Sequence, residues 1–355
     1  MLIETSEAVY ETFFQHAQLE ITGTCNMDCL HCRASTEARV HMGLDLARSI
    51  LLFATANAET NFRLTISGGE PFKHPGIVEV LAMAKALGIN DIIVTTNGSL
   101  VTDEIIGDLK RVSVKNLCIQ VSVDSINAEK HDAFRRHKGA FSKATSCLKR
   151  VSQAGILTSL RATVNPENMG EIGGLISLAR DCGAIRVGIG SVIPAGMGKQ
   201  NRDLLLSPAQ KKFFIEELSR QKQINADIDV TTEDPLKFAM PDCAWDYGGG
   251  DITSPAFFGG CTAGITGFNA DSEGTLTPCA VLLKPIVNVR EKSLEEILKA
   301  YVGSSVIQSL VERKYSGKCG LCPFKRLCGG CRAVADGLTG DYLSSDLTCW
   351  LQPKV

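Results

Sequence analysis

From about residue 17 to residue 232 the chain repeats one pattern, a short β-branched run followed by a stretch of helical period. Strands are expected at 17–22, 62–67, 91–96, 115–123, 157–164, 185–191 and, more weakly, 226–232. Ile92-Ile93-Val94 and Leu117-Cys118-Ile119-Gln120-Val121 are typical: short, apolar and bounded by turn residues. Helices are expected at 43–57, 75–88, 100–111, 140–154 and 168–182. Ser207-Pro208-Ala209-Gln210 reads as a capping box with proline at the first helical position, opening a helix to about 222. Such alternation gives an α/β fold, a parallel sheet with helices outside. Six units suffice for a partial or full barrel, (β/α)6 and TIM-like, with its chemistry at the carboxyl ends of the strands.

Residues 233–260 break the pattern. Pro235, Pro241, Gly248-Gly249-Gly250, Pro255 and Gly259-Gly260 mark irregular chain. Three segments are therefore expected: 1–232 as the barrel, 233–260 as a bridge and 261–355 as a Cys-rich second domain. Within the last, Ile265 to Ala270 and Thr275 to Cys279, split by Asp271-Ser272-Glu273-Gly274, read as a hairpin. Ser293-Leu294-Glu295-Glu296 is a second capping box.

A net charge of −2 gives no basic surplus for nucleic acid or an anionic membrane. No apolar run approaches the roughly 18 residues of a membrane span. Met1 to Glu20 holds several acids and no basic n-region, so a cytoplasmic location is expected. Fourteen cysteines then suit metals better than disulfides, because they cluster locally. Cys118, Cys147 and Cys182 fall in apolar or helical contexts and read as core residues.

Cys25, Cys29 and Cys32 follow the first strand directly. They offer three thiolates, whereas a four-iron cubane cluster is normally held by four. One iron would be left open to a non-protein ligand, the arrangement needed to bind and reductively cleave S-adenosylmethionine. A zinc site completed by His31, inside the triplet, stays open on spacing alone. Ser67-Gly68-Gly69-Glu70-Pro71 follows the second strand on the same face; its glycines permit close backbone approach and Glu70 can accept from an ammonium group. Thr95-Thr96-Asn97-Gly98 and Ser122-Val123-Asp124-Ser125 end the third and fourth strands with small polar groups. A ribose or carboxylate could be held there, though each alone is more often a turn or a helix cap. Arg135 can pair with a carboxylate, while Arg136, His137 and Lys138 read as a solvated charge run.

In order and context these motifs resemble the radical S-adenosylmethionine (radical SAM) superfamily. The resemblance implies a partial barrel and one [4Fe-4S] cluster on Cys25, Cys29 and Cys32. It implies an open iron chelated by the methionyl group, and release of methionine and a 5′-deoxyadenosyl radical on reduction. Gly68, Gly69 and Glu70 would hold the methionyl amine, and Thr96 and Asn97 are counted among the cofactor-binding residues. Ser122 and Asp124 would contact ribose or the methionyl end, Arg135 the carboxylate, and Ile193 to Gly196 the adenine side. Two Cys-x-x-Cys steps alone would read as a zinc ribbon or rubredoxin-like site. Behind such a barrel the C-terminal set resembles the SPASM extension with two auxiliary clusters. That pattern implies Cys261, Cys279 and Cys331 on an inner cluster and Cys319, Cys322, Cys328 and Cys349 on an outer one. Only Gly329 and Gly330 separate Cys328 from Cys331, where many SPASM proteins have three residues. This shorter step, similar to that of some tetrapyrrole- and small-molecule-modifying members, leaves open whether the two cysteines serve separate clusters. Cys243 is a fourth inner-cluster ligand, a hydrogen-atom donor or inert.

The expected activity is hydrogen abstraction from a small molecule such as a sugar, nucleoside or cofactor precursor. Auxiliary clusters favour net oxidation or decarboxylation, and a hydrogen returned by Cys243 would give epimerisation instead. A flavodoxin- or ferredoxin-type protein would supply the electron. The alternative is maturation of a ribosomal precursor peptide; about 16 residues before the first strand leave no space there for a fused recognition domain. A non-catalytic zinc or electron-transfer protein is the reading from another class.

Overall fold

The computed structural model describes residues 1–34, 39–239 and 259–353. It begins with a hairpin, β1 (Leu2–Glu4) and β2 (Val9–Glu11). Seven parallel strands follow: β3 (Phe14–Thr22), β4 (Ala58–Gly68), β5 (Asp91–Thr96), β6 (Asn116–Ser122), β7 (Leu157–Val164), β8 (Arg186–Ser191) and β9 (Asp229–Thr231). The connecting helices are α1 (Leu44–Ala56), α2 (Ile77–Ala86), α3 (Asp103–Val112), α4 (Ala128–Arg135), α5 (Ala140–Gln153), α6 (Ile172–Asp181), α7 (Met197–Gln200) and α8 (Pro208–Ile224). Parallel neighbours need such crossovers. Both capping boxes form, Ser207 with Gln210 and Ser293 with Glu296.

The C-terminal part contributes β10 (Gly267–Ala270), β11 (Thr275–Thr277), β12 (Val287–Asn288), α9 (Leu294–Val302), α10 (Ser305–Glu312), α11 (Gly317–Leu321) and α12 (Arg332–Thr339). Its hairpin is shorter than the sequence suggests, because Pro278 has no N–H for the ladder and β11 stops before it. The hairpin also joins the barrel sheet. β10 pairs in parallel with β3, Phe268 opposite Ala17, giving the order β12-β11-β10-β3-β4-β5-β6-β7-β8-β9. β3 therefore never meets β9, and the barrel is partial.

An aromatic cluster fixes this junction. Phe14 of β3 lies 4.8 Å from Phe268 of β10, 5.6 Å from Phe53 of α1 and 5.5 Å from Tyr301 of α9, all at steep ring angles. Tyr301 donates to the Gly264 carbonyl at 2.9 Å, so its buried hydroxyl is satisfied. Cys118, Cys147 and Cys182 are buried, as expected of core cysteines. α4 was not evident from periodicity. It is short and opens on Asn127, whose side chain caps the Lys130 N–H. The expected helix from 168 begins instead as a 3-10 turn at Met169–Glu171.

Candidate active site

The loop leaving β3 carries Cys25, Cys29 and Cys32, and several segments hold it. Asn97 Nδ2 donates to Asn26 Oδ1 at 2.9 Å and Asn26 Nδ2 to Ser99 at 2.8 Å. The Leu30 N–H reaches the Phe134 carbonyl at 3.0 Å, Asn201 donates to the Leu30 carbonyl at 2.8 Å, and the Met197 N–H to the Cys32 carbonyl at 2.8 Å. Burial pushes the Cys29 thiol up to about 11 and raises Cys25, with the neighbouring thiols adding to both. His31 stacks on Phe134, centroids 4.3 Å apart and planes at 6°. Burial lowers its pKa to about 4, and its charged neighbours are Asp124, Arg135 and His131. Its Nδ1 is buried with no hydrogen-bond partner among the described residues.

Gly68 and Gly69 pack backbone against backbone on this loop. A Cβ at Gly68 would stand 2.2 Å from the Thr22 carbonyl oxygen, and one at Gly69 2.2 Å from that of Thr24. Gly68 also has φ +132°, which favours glycine. The Gly69 and Glu70 N–H groups donate to those two carbonyls, each at 2.8 Å. Glu70 is wholly buried. Its carboxylate accepts from the Thr96 hydroxyl at 2.7 Å, the Asn97 N–H at 2.8 Å and the Phe72 N–H at 3.2 Å. Three of the residues singled out in the sequence therefore form one unit behind the cysteine loop. Burial raises the Glu70 pKa, and these donors oppose the rise.

On the next wall Arg135 Nε donates to Asp124 Oδ2 at 2.7 Å in a buried ion pair. The Thr163 N–H takes Oδ1 at 2.9 Å, and Asn168 Nδ2 the Asp124 carbonyl at 2.6 Å. Burial works against the Asp124 charge, but Arg135, His31 and His131 outweigh it and hold the pKa near 2. Both carboxylate oxygens are engaged, so Asp124 acts first on Arg135. Arg136 and Lys138 are exposed, as expected of a solvated run. The segment Ile193–Gly196 lies against the cysteine loop, since a Cβ at Gly196 would stand 2.4 Å from the Cys32 carbonyl oxygen. Asn26, Asn168 and His131 were not anticipated; nothing local distinguishes them from turn or cap residues.

The C-terminal cysteines sort into two neighbourhoods. Cys261, Cys279 and Cys331 act on one another electrostatically. Cys319 likewise acts on Cys322 and Cys349, and Cys349 on Cys328. Cys319, Cys322, Cys328 and Cys349 line one pocket with Leu236 and Phe324. Backbone N–H groups approach the sulfurs: Leu282 to Cys279 at 3.3 Å, Gly330 to Cys328 at 3.3 Å and Asp346 to Cys319 at 3.4 Å. Gly329 and Gly330 both take positive φ between Cys328 and Cys331, and the Cys261 N–H donates to the Cys328 carbonyl at 3.0 Å. Cys243 lies outside the described residues.

A model of the radical SAM superfamily matches residues 19–179. The AdoMet-dependent heme synthase of Methanosarcina barkeri is 31% identical over 343 residues, spanning 94% of this chain and 95% of that protein. The chain belongs to the radical SAM superfamily. The PqqA peptide cyclase of Methylocella silvestris is 28% identical over 341 residues, 94% of this chain and 87% of the cyclase. Streptococcus suis SuiB bound to S-adenosylmethionine shares the fold at TM-score 0.75 and 18% identity, covering 96% of this chain and 78% of SuiB. The α/β partial barrel and its SPASM-type Cys-rich extension are thus those of a radical SAM enzyme, and the non-catalytic zinc and electron-carrier readings are set aside. Its cofactors are S-adenosylmethionine and iron–sulfur clusters, one for the radical chemistry and auxiliary ones behind it.

The residues present fit these groups. Cys25, Cys29 and Cys32 share one loop, Cys319, Cys322, Cys328 and Cys349 line one pocket, and backbone N–H groups reach the sulfurs of Cys279, Cys319 and Cys328. Among the described residues no helix is long and apolar enough to cross a membrane.

Proposed function

We propose that this radical SAM enzyme carries out a net oxidation, such as dehydrogenation, decarboxylation or cross-linking, of a carboxylate-bearing substrate. The observation that carries the reading is the contact between barrel mouth and cysteine-rich part. α12, capped by Cys331, packs so closely on the segment after β8 that a Cβ at Gly337 would stand 2.2 Å from the Pro194 carbonyl oxygen. An auxiliary centre on Cys261, Cys279 and Cys331 would therefore adjoin the reaction chamber, where it could accept an electron. When bound, the Cys25/Cys29/Cys32 cluster and S-adenosylmethionine supply the radical that removes hydrogen.

The chain's own residues position and shield. Gly68, Gly69 and Glu70 would receive the methionyl amine, with Thr96 and Asn97 fixing Glu70. Arg135, steadied by Asp124, would take the carboxylate; Ser122 would face ribose, and Ile193 the adenine. Cys319, Cys322, Cys328 and Cys349 would hold the outer cluster. Cys243 would complete the inner one, or else donate hydrogen. Residues 1–232 and 261–355 are read as barrel and SPASM units, served by a flavodoxin- or ferredoxin-type reductant in the cytoplasm.

Two substrate classes stand. A carboxylated cofactor precursor is supported by the end-to-end match to a heme synthase. A ribosomal precursor peptide is supported by the match to a peptide cyclase. The similar proteins include both kinds, so they do not uphold the sequence-level preference for a small molecule. The test is anaerobic turnover with S-adenosylmethionine and reductant, following 5′-deoxyadenosine and product mass. Substrate-dependent 5′-deoxyadenosine with loss of hydrogen or carbon dioxide is expected. A product of unchanged mass would overturn the oxidation reading.

A further inference from the structure

Alternate residues of a barrel strand face inward. On β3 and β7 the side chains of His16, Glu20 and Arg161 lie on the face opposite the buried Ala17, Leu19, Leu160 and Ala162. In register Arg161 stands between Ser122 of β6 and Gly188 of β8. It is therefore level with the strand end where a cofactor ribose is expected.

The neighbouring strand makes space for its guanidinium. A Cβ at Gly188 would lie 3.3 Å from one terminal nitrogen of Arg161, and a Cβ at Gly190 3.0 Å from the other. Among the described residues that guanidinium forms no hydrogen bond. Its partner is Glu233 at 3.7 Å, a long ion pair in which the Glu233 side chain is 89% exposed. Arg161 also does most to hold the Glu233 carboxyl below its usual range, with His16 and Lys237 helping. The second lumen acid, Glu20, is committed elsewhere: Arg33 donates to it at 2.7 Å and to the Ala280 carbonyl at 2.8 Å. The chamber thus contains a guanidinium with five donors, loosely engaged by one carboxylate.

We propose that Arg161 is the anchor for a substrate carboxylate, with Glu233 occupying its place until the substrate binds. This rests on the reading of the lumen as a radical SAM reaction chamber. A planar guanidinium grips a carboxylate through two parallel hydrogen bonds, which fixes direction as well as distance. From a position level with Ser122, such a grip presents the carbons beside the acid to the cofactor end of the chamber. The acid can come from a small molecule or from an acidic side chain of a peptide.

The test uses reconstituted full-length protein and two matched probe pairs. One pair is hemin and its dimethyl ester; the other is a glutamate-containing octapeptide and its glutamine counterpart. Wild type should bind the acid of one pair about tenfold or more tightly than its neutral partner. Whichever pair discriminates identifies the source of the carboxylate. Arg161→Gln should erase that preference and Arg161→Lys should restore part of it, with S-adenosylmethionine affinity unchanged in both. Glu233→Gln should tighten acid binding, which tests the proposal from the side of the partner that Arg161 would release. Equal binding within both pairs, weaker acid binding in Glu233→Gln, or loss of S-adenosylmethionine affinity in Arg161→Gln would overturn the assignment. If wild type still cleaves S-adenosylmethionine, only the anchor is lost; if it does not, the radical reading itself fails.

Discussion

A guanidinium with no exposed surface must find all its partners inside the protein, and Arg332 does so beside a cysteine. It donates to the Tyr342 carbonyl at 3.0 Å and the Ser344 carbonyl at 2.6 Å, lies 4.2 Å over the Tyr315 ring, and approaches Cys319 Sγ at 3.6 Å. A fixed positive charge favours the more negative, reduced state of a centre held by that sulfur. Arg332→Gln should therefore lower the potential of one auxiliary centre without changing iron content, as read by a redox titration with spectroscopic detection. Asp124 is the second such case. Removing one partner of a buried ion pair costs about 3–5 kcal/mol, so Asp124→Asn should lose that much in denaturant unfolding and weaken S-adenosylmethionine binding through Arg135. Cys147 gives a pH effect. Burial pushes its thiol from 9.0 up to about 12. Folded chains keep the proton that unfolded chains release, so this contribution is intact below pH 9 and falls as pH rises toward 12. Unfolding free energies above pH 9 should decline less in Cys147→Ala. At this scale Cys25, Cys29, Cys32, Gly68, Gly69 and Glu70 were legible because their spacing is the chemistry. Arg161 and Arg332 were not, since their meaning depends on strands and sulfurs far along the chain.

Among elements, each barrel strand was visible, β5 and β6 most clearly, because burial on both faces demands an uninterrupted β-branched run. The two serine capping boxes were equally plain. α4 was missed: eight residues show barely two turns of period, and only the Asn127 cap signals it. The pairing of β10 with β3 was invisible for a different reason, being set by a partner at the other end of the chain. That pairing is held by side chains that can be removed. Phe268→Ala deletes the ring in contact with Phe14, Phe53 and Tyr301. A loss of about 3–5 kcal/mol is expected. Hydrogen exchange should rise along β10 and β11 before it rises in β5 and β6.

For the whole molecule, the division of eleven metal-candidate cysteines into a barrel-mouth set and a C-terminal set was legible from clustering alone. The placing of Cys328 and Cys331 on separate clusters comes from the resemblance, and the structure adds that two positive-φ glycines turn the chain between them. Reconstituted protein should carry about twelve irons if all three centres are four-iron clusters. Replacing Cys25, Cys29 and Cys32 together by Ala should leave about eight and abolish 5′-deoxyadenosine formation; retained cleavage would sink the assignment. Chelation of the remaining iron should destabilise the C-terminal part, whose binding energy is also folding energy.

The place of β3 in the sheet has a consequence for synthesis. The strand that covers the outer edge of β3 emerges roughly 250 residues after it. At about 5–20 residues per second that is some 12–50 seconds on the ribosome. Through that interval the nascent barrel presents an unpaired edge, and a row of unpaired N–H and C=O groups is a template for another chain. His16, Gln18 and Glu20 make one face of that strand polar, opposite Ala17, Leu19 and Ile21. The same polar side chains that furnish the chamber in the finished enzyme can therefore keep its half-made precursor from sticking to its neighbours on a polysome.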